Sequence, residues 1–327
     1  MRDSHQREIH DLRLSVTARC NYRCVYCRAG EESAQPPGEL SWEDLEAIAR
    51  AFAALGIRKI RLTGGEPLLR PGLAAFATRL QDLQLEDIAL TTNGHLLAEQ
   101  AESLRAAGIR RVTISLDSVQ PEKFARITRV KNGFARVMAG IDAACAAGLG
   151  PVKINAVLLR GCNDDEIEAF AALARRGQVV VRFIEFMPLE EGRVWSPELV
   201  VPMAEILQRL AASYPVVEIP CAPSETARRF RFADGAPGEI GIIAPVTSPF
   251  CGQCSRIRVT ADGKIRTCLF SLREWDLTAA LRAGSGADRD AALRRRILEA
   301  VERKEARHHI GEPGFVRPGR AMVQIGG

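Results

Sequence analysis

Short apolar runs alternate with amphipathic segments over the first 187 residues of the chain. Between these runs, apolar residues recur at helical spacing, as in the segments that begin at Ser41 and Gly133. The predicted strands are LRLSVT, KIRLTGG, DIALTTNG, RVTISLDS, VKINAVLL and VVVRFIEFM. Strands that alternate with helices form parallel sheets. The pattern therefore predicts an α/β fold, an incomplete (β/α)6 barrel of the TIM type, whose working face is the carboxyl edge of its strands.

The pattern changes after Met187. A linker, one helix, four strands that we expect to be antiparallel and two late helices follow. The strands are predicted in RRFRFADG, GEIGIIAP, RIRVT and KIRTCLF. This change predicts a partial barrel over residues 1–187 and an α+β layer over residues 188–327 that covers the barrel mouth.

Composition narrows the class of protein. The chain has 327 residues, 46% of them apolar, and a net charge of +5 with Lys and Arg interspersed among acidic residues. Such a mild, scattered charge argues against a nucleic-acid interface but leaves room for a few cations around a small polyanion. No run reaches the length of a membrane helix, and the first residues carry no apolar targeting segment. We expect a cytoplasmic globular protein without membrane contact, in which close-set cysteines are metal ligands.

Three of the nine cysteines stand directly after the first predicted strand, in CNYRCVYC. Cys20, Cys24 and Cys27 cannot complete a tetrahedral zinc site alone, whereas an iron–sulfur cubane takes one thiolate per iron and can leave its fourth iron open. A zinc site with a distant fourth ligand is the alternative. The spacing resembles the signature of the radical S-adenosylmethionine (SAM) superfamily. That resemblance implies that SAM binds the open iron and that Tyr26 lies near its adenine.

Further strand ends carry polar or flexible residues that the resemblance assigns to SAM. In TGGEP, Gly64 and Gly65 allow close approach of the backbone, and Glu66 offers a carboxylate to the SAM amino group. Ser115 ends another strand, where its hydroxyl would meet the ribose or carboxylate. Met187 ends the sixth, where its thioether would pack on adenine. Each of these residues also has an ordinary interpretation as a turn or core residue.

A second cysteine triad lies in the C-terminal region, at Cys251, Cys254 and Cys268. No fourth ligand stands nearby, although His308 or His309 would complete a zinc site from the tail. The alternative to zinc is an auxiliary cluster with another open iron. The three remaining cysteines have no partner spacing and are predicted to be incidental thiols. They are Cys145, Cys162 and Cys221.

Motifs along nearly the whole chain resemble the MoaA family of GTP 3',8-cyclases, which act in molybdenum cofactor biosynthesis. They include RLSVTARCNYRCVYC, KIRLTGGEP, RFIEFMP, GEIGIIAP, CGQCSRIRVT and the terminal IGG. The resemblance implies two 4Fe-4S clusters at opposite ends of the barrel, with SAM on the first and the guanine of GTP on the second. A 5'-deoxyadenosyl radical then takes the ribose 3' hydrogen, the carbon radical attacks guanine C8, and the product is 3',8-cyclo-7,8-dihydro-GTP.

The same resemblance assigns substrate contacts, because several cations would be needed to neutralise and aim a triphosphate. Arg61 and Lys153 stand out because they lie inside apolar strand runs. Arg13, Arg256 and Arg258 are also assigned to catalysis, the last two sharing one face of a strand. The full set of substrate contacts comprises Arg13, Arg61, Thr91, Lys153, Arg256, Arg258, Gly326 and Gly327.

The terminal Gly326 and Gly327 are expected to thread into the active site near these arginines rather than fray. The family further implies an electron donor such as flavodoxin or ferredoxin, a next enzyme that forms cyclic pyranopterin monophosphate, and a homodimer. The chain departs from the family pattern at Arg28, Ala29 and Gly30 and at Ser255.

Two other classes remain open from the sequence. A radical SAM peptide-modifying enzyme with an auxiliary cluster shares the first triad, but we find no peptide-binding element. A structural protein with two zinc sites, binding RNA or metal, would be colourless and would not turn over SAM.

Overall fold

Alternation of apolar and polar residues along the strands builds a single curved sheet with helices on its outer side. The structure is a computed structural model that describes residues 1–27, 38–190, 194–222, 224–284 and 286–326. The strands are β1 (Asp11–Ser15), β2 (Lys59–Thr63), β3 (Asp87–Thr92), β4 (Arg111–Ser115), β5 (Val152–Leu158), β6 (Val179–Glu185), β7 (Val216–Ile219), β8 (Arg228–Phe232), β9 (Glu239–Ile243), β10 (Arg256–Val259), β11 (Lys264–Arg266) and β12 (Trp275–Asp276).

Ten α-helices are found in the described part of the chain. They are α1 (Trp42–Ala54), α2 (Leu73–Leu80), α3 (Leu97–Ala106), α4 (Pro121–Thr128), α5 (Gly133–Ala146), α6 (Ile167–Ala174), α7 (Met203–Ser213), α8 (Thr278–Leu281), α9 (Ala287–Glu302) and α10 (Met322–Ile325). Helix α1 shows why these segments fold as they do. Ser41 caps its first turn by accepting a bond from Asp44 N at 3.0 Å, and Leu45, Ile48 and Phe52 are buried on one face. None of the described helices is long and apolar enough to cross a membrane.

The six predicted strands form β1 to β6, each parallel to the next, which confirms the predicted α/β class. The strand order is β12-β11-β10-β1-β2-β3-β4-β5-β6-β9-β8-β7, so the described sheet ends at β12 and β7 and is not closed. The architecture is therefore an incomplete barrel.

The C-terminal strands extend this sheet from both sides. Strand β9 pairs in parallel with β6, and β10 pairs in parallel with β1. We expected antiparallel pairing for both, and each does have an antiparallel neighbour, β8 and β11 respectively. The parallel pairing of β9 with β6 and of β10 with β1 was not predicted. The division into domains at residue 187 stays a prediction.

The barrel interior is polar because alternate strand residues face it. In β5, Val152, Ile154, Ala156 and Leu158 are buried, whereas Lys153 and Asn155 between them are only partly buried. Lys153 and Asn155 line a cavity inside the barrel. The apolar face of the sheet packs against the helices in one continuous core. The polar face lines the interior of the barrel.

A second, small apolar cluster holds the C-terminal tail. Ile325, 1% exposed, packs with Leu189, Phe270 and Ile310. The tail is also fixed by an ion-pair network, in which Arg320 donates to both oxygens of Asp262 at 2.8 and 2.9 Å. The end of the described chain is therefore docked on the protein.

Candidate active site

Both cysteine triads line the same cavity, of about 270 Å³, inside the partial barrel. All six cysteines contribute to the wall. They are Cys20, Cys24, Cys27, Cys251, Cys254 and Cys268. The fold thus brings together two groups that are more than 220 residues apart in sequence.

The loop that carries the first triad packs tightly on the glycine pair after β2. Gly65 N donates to Thr17 O at 2.8 Å, and Glu66 N donates to Arg19 O at 2.7 Å. A Cβ at Gly64 or at Gly65 would lie 2.3 Å from a carbonyl oxygen of this loop. The glycines are therefore required for the approach of the cysteine loop, and both line the cavity.

Tyr26 anchors the same loop to the other side of the barrel mouth. Its hydroxyl donates to Asp117 Oδ2 at 2.7 Å, while Asp117 Oδ1 accepts from Val157 N at 2.9 Å. Burial raises the pKa of Asp117 to about 6. Tyr26, Ser115 and Met187 all line the cavity, and their contact with SAM stays a prediction.

Glu66 is placed differently from the other predicted SAM contacts. It is fully buried and does not appear in the cavity wall. Its carboxylate accepts from Thr92 Oγ1 at 2.7 Å, Leu68 N at 2.9 Å and Asn93 N at 2.6 Å. Burial raises the pKa of Glu66 to about 7, although these bonds favour its charged form. Its role in binding SAM stays a prediction.

The two triads differ in their electrostatic surroundings. Burial raises the pKa of Cys20 to about 11 and that of Cys24 well above its ordinary value. At Cys254, burial opposes ionisation, but Arg256 and Lys304 lower the pKa of its thiol to about 6. The Arg256 guanidinium lies 3.6 Å from Cys254 Sγ. Two cations, Arg256 and Lys304, thus favour the thiolate of Cys254 in the second triad.

The residues fit iron–sulfur clusters better than single zinc ions. Among the described residues, no three His, Cys, Asp or Glu side chains are grouped to hold one metal ion. Thiols that share a cavity wall without converging on one point suit a cubane, which takes one thiolate per iron.

A row of cations runs from the second triad down the barrel interior. Arg13 stands between Arg258 on β10 and Arg61 on β2 in the parallel register. Arg61 donates to Thr91 Oγ1 and Thr113 Oγ1, both at 3.2 Å. Nε of Arg256 is buried and has no hydrogen-bond partner within the described residues. These side chains leave donors available to a ligand.

The row continues into a second cavity toward the amino ends of the strands. Lys153 and Arg61 line this deeper cavity, whereas Arg13, Thr91 and Arg256 line both cavities. Burial, with Arg182 and Arg111 nearby, lowers the pKa of Lys153 to about 8, and burial lowers that of Arg61 to about 10. Burial therefore outweighs the attraction of the carboxylates nearby, which are Glu225 for Lys153 and Asp87 and Asp11 for Arg61.

Two of the four acidic residues that line this deeper cavity are paired with arginines. Asp87 accepts from Arg111 at 2.5 Å, and Glu239 accepts from Arg229 at 2.7 Å. Asp11 and Glu225 also line the cavity, but neither forms an ion pair with Arg61, Lys153 or Arg182 within the described residues. A polyanion is the ligand that such an interior would bind.

Comparison with known proteins decides the family. Residues 14–174 match the Radical SAM superfamily, and residues 179–310 match the family described as Molybdenum Cofactor Synthesis C. A GTP 3',8-cyclase of Acidothermus cellulolyticus is 46% identical over 94% of this chain and 87% of that protein. One of Pelotomaculum thermopropionicum is 45% identical over 100% of both chains. The chain belongs to the GTP 3',8-cyclase family.

Solved structures agree with this assignment at the level of the fold. The crystal structure of Streptococcus suis SuiB superposes with a TM-score of 0.58 at 13% identity, covering 81% of this chain. This chain spans 62% of the length of SuiB. At this identity the likeness shows the fold alone, and the family rests on the cyclase relatives.

Ser255, which departs from the usual family sequence, has a structural partner. Its hydroxyl donates to Asp11 Oδ2, and its carbonyl accepts from His10 N and Asp11 N. These bonds join the starts of β1 and β10. The other departure, at Arg28, Ala29 and Gly30, lies outside the described residues, as does Gly327.

Two features of the site were missed from the sequence. Arg182 lines both cavities, donates to Asn155 Oδ1 at 2.9 Å, and has a pKa lowered to about 9 by burial. It lies inside the apolar run VVVRFIEFM, the same signal that identified Arg61 and Lys153. Arg7 donates to Cys251 O at 2.8 Å from the N-terminal segment, and no local pattern indicated that contact.

The C-terminal tail reaches Arg258 of this row of cations through Gly326. Its carbonyl accepts from Arg258 Nη1 at 2.7 Å, and a Cβ there would lie 2.8 Å from Thr63 Cγ2. Gly326 has a φ of +70°, which favours glycine. The close fit leaves no room for a side chain at this position.

Proposed function

We propose that this chain converts GTP to 3',8-cyclo-7,8-dihydro-GTP in molybdenum cofactor biosynthesis. Its relatives are named GTP 3',8-cyclases. The observation that carries the proposal is the single cavity between two cysteine triads, joined to a cation-lined interior. Such a cavity would accommodate a reactive group at the first triad, a base-binding group at the second and a triphosphate among the cations.

Cys20, Cys24 and Cys27 would hold a 4Fe-4S cluster with SAM, while Cys251, Cys254 and Cys268 would hold a second 4Fe-4S cluster that meets the guanine. When bound, the first cluster and SAM supply a 5'-deoxyadenosyl radical able to remove the ribose 3' hydrogen. Tyr26, Gly64, Gly65, Ser115 and Met187 are proposed to shape the SAM site from the cavity wall, and Glu66 to support it from beneath.

The protein's own contribution is orientation and the exclusion of water. The interior cations are proposed to hold the triphosphate, since each lacks a carboxylate partner in the described structure and has donors to offer. They comprise Arg13, Arg61, Lys153, Arg182 and Arg256, with Thr91 as a hydroxyl contact. Binding would raise the lowered pKa values of Arg13, Arg61, Lys153 and Arg182.

Arg13, Arg256 and Arg258 are proposed to act on the reacting nucleotide as catalytic residues. Arg258 is held by the Gly326 carbonyl, so the tail with Gly326 and Gly327 would fix the direction in which the guanidinium points. A fixed donor beside the ribose can stabilise charge that develops during ring closure without reorganising.

The proposed partners follow from the same reaction. A one-electron donor of the flavodoxin or ferredoxin class would supply reducing equivalents, and an enzyme forming cyclic pyranopterin monophosphate would consume the product. The proposal includes a cytoplasmic homodimer.

The test is product formation by anaerobically reconstituted protein with SAM, dithionite and each nucleoside triphosphate in turn. We expect a cyclised nucleotide from GTP and none from ATP, CTP or UTP. SAM turnover without a GTP-derived product would reject the proposed function, and a colourless, zinc-containing protein would reject its cofactor assignment.

A further inference from the structure

Lys304 lies behind the second cysteine triad, at the end of α9. Its side chain is buried, with the whole residue only 4% exposed. Nζ donates to Arg256 O at 3.0 Å and to Thr267 O. The first carbonyl is two residues after Cys254, and the second directly precedes Cys268. A single ammonium group therefore joins the two strands that present these thiols.

The charge of Lys304 has no carboxylate partner in the described part of the chain. The neighbouring Glu305 accepts from Thr267 Oγ1 at 2.6 Å instead. A buried cation is costly unless an opposite charge lies close by, and two carbonyl dipoles compensate only part of that cost. The position thus calls for negative charge on the adjacent triad.

Arg7 offers a comparison on the other side of the same triad. It donates to Cys251 O and Ala306 O, both at 2.8 Å, and so pins the loop in place. Its own charge is balanced, because Asp3 accepts from Nε at 2.6 Å. Arg7 and Lys304 thus both bind the backbone around the triad, while Arg256 lies beside Cys254 Sγ. Of Arg7 and Lys304, only Lys304 has no carboxylate partner among the described residues.

We propose that Lys304 is a positioning residue that supplies the counter-charge to the cluster held by Cys251, Cys254 and Cys268. This inference rests on the proposed function. A cubane with three thiolates becomes more negative when it takes one electron from a reductant, with no bond made or broken. The fixed ammonium favours that reduced form and raises the midpoint potential of the second cluster.

The experiment is a dithionite titration of full-length protein in a Cys24→Ser background, followed by electron paramagnetic resonance, so that only the second cluster is observed. Lys304→Gln keeps a hydrogen-bond donor and removes the charge, whereas Lys304→Arg keeps the charge. Lys264→Gln is the matched control, since Lys264 lies on the neighbouring β11 and is paired with Asp276 at 2.5 Å.

In Lys304→Gln we expect at least a tenfold fall in the reduced-to-oxidised ratio at a fixed potential, a shift of about 59 mV for a one-electron couple. Lys304→Arg and Lys264→Gln should stay close to the parent. A Lys304→Gln protein with full iron and an unchanged potential would overturn the proposal.

If Lys304→Gln loses the iron of the second cluster, Lys304→Arg decides the matter. Retention in Lys304→Arg supports a requirement for charge, and equal loss in both variants overturns it. Failure here is distinct from failure of the proposed function, which would appear as zinc in the second site or as no cyclised product in the unmutated protein.

Discussion

Arg13 of β1 lies directly beside Arg258 of β10, as neighbours in a parallel register. Burial, with Arg258 and Arg256 close by, lowers the pKa of Arg13 well below its ordinary value, and burial lowers that of Arg258 to about 10. Two like charges held together in a buried site oppose folding and favour a bound anion. This pairing supports the proposal that both arginines bind an anionic ligand.

Replacing Arg13 with Met should separate these two effects. We expect GTP affinity to fall by about 1.5 to 3 kcal/mol, the value of a hydrogen bond to a charged group. The free energy of unfolding of the GTP-free protein should not fall, because a buried, repelled cation has been removed. Anaerobic calorimetry with GTP and denaturant unfolding measure the two quantities.

Arg50→Met is the control for this variant, since Arg50 forms an exposed ion pair with Glu46 at 2.7 Å and lies far from either cavity. It should change neither quantity appreciably. An Arg13→Met protein that binds GTP normally but unfolds more easily would show that Arg13 serves the fold.

Lys153 predicts a pH dependence of GTP binding. Its pKa is lowered to about 8, so in the free protein it is charged below that pH and neutral above it. Bound triphosphate favours the charged form, and GTP affinity should therefore decrease as pH rises through about 8. Lys153→Arg should keep its charge and its affinity over the same range, whereas Lys153→Met should bind weakly at every pH. A wild-type affinity that is flat across this range would contradict the assignment.

Iron content tests the two triads separately. Reconstituted protein should contain about eight irons if each triad holds a cubane. Cys24→Ser and Cys254→Ser should each lose about half. Cys221→Ser provides the control, because Cys221 is exposed and does not line the cavity. Full iron in Cys254→Ser would exclude the second triad as a cluster site.

The tail can be tested at Gly326, where a side chain would collide with Thr63. Gly326→Val, like deletion of Gly326 and Gly327, should keep iron, SAM binding and some 5'-deoxyadenosine formation but lose the cyclised product. Gly319→Val is matched, since a Cβ there meets no atom within 4 Å. Cyclisation at the normal rate in Gly326→Val would show that the tail has a purely structural role.

The sequence predicted the six parallel strands and the cysteine triads because both are local patterns. The parallel pairing of β9 and β10 was not predicted, since the choice of sheet edge depends on contacts far apart in the chain. Arg182 lies inside an apolar strand run, as Lys153 does, and could therefore have been predicted from the sequence. The bonds from Arg7 to Cys251 and from Lys304 to Thr267 join residues far apart in sequence, and only the fold reveals them.

Gly64 and Gly65 show a different limit. Their sequence suggested space for a ligand, whereas the structure shows that the loop before Cys20 already occupies the space that a side chain would fill. A motif can identify the right residues while the reason for them lies in packing that a single sequence does not display.

We propose that GTP lies between the two triads with its ribose toward the first. Transfer of deuterium from GTP labelled at the ribose 3' carbon into 5'-deoxyadenosine tests this orientation most directly. We predict that one deuterium appears in the 5'-deoxyadenosine formed by the reconstituted protein, together with the cyclised nucleotide. Unlabelled 5'-deoxyadenosine formed alongside product, or label transfer only from another ribose position, would contradict the account.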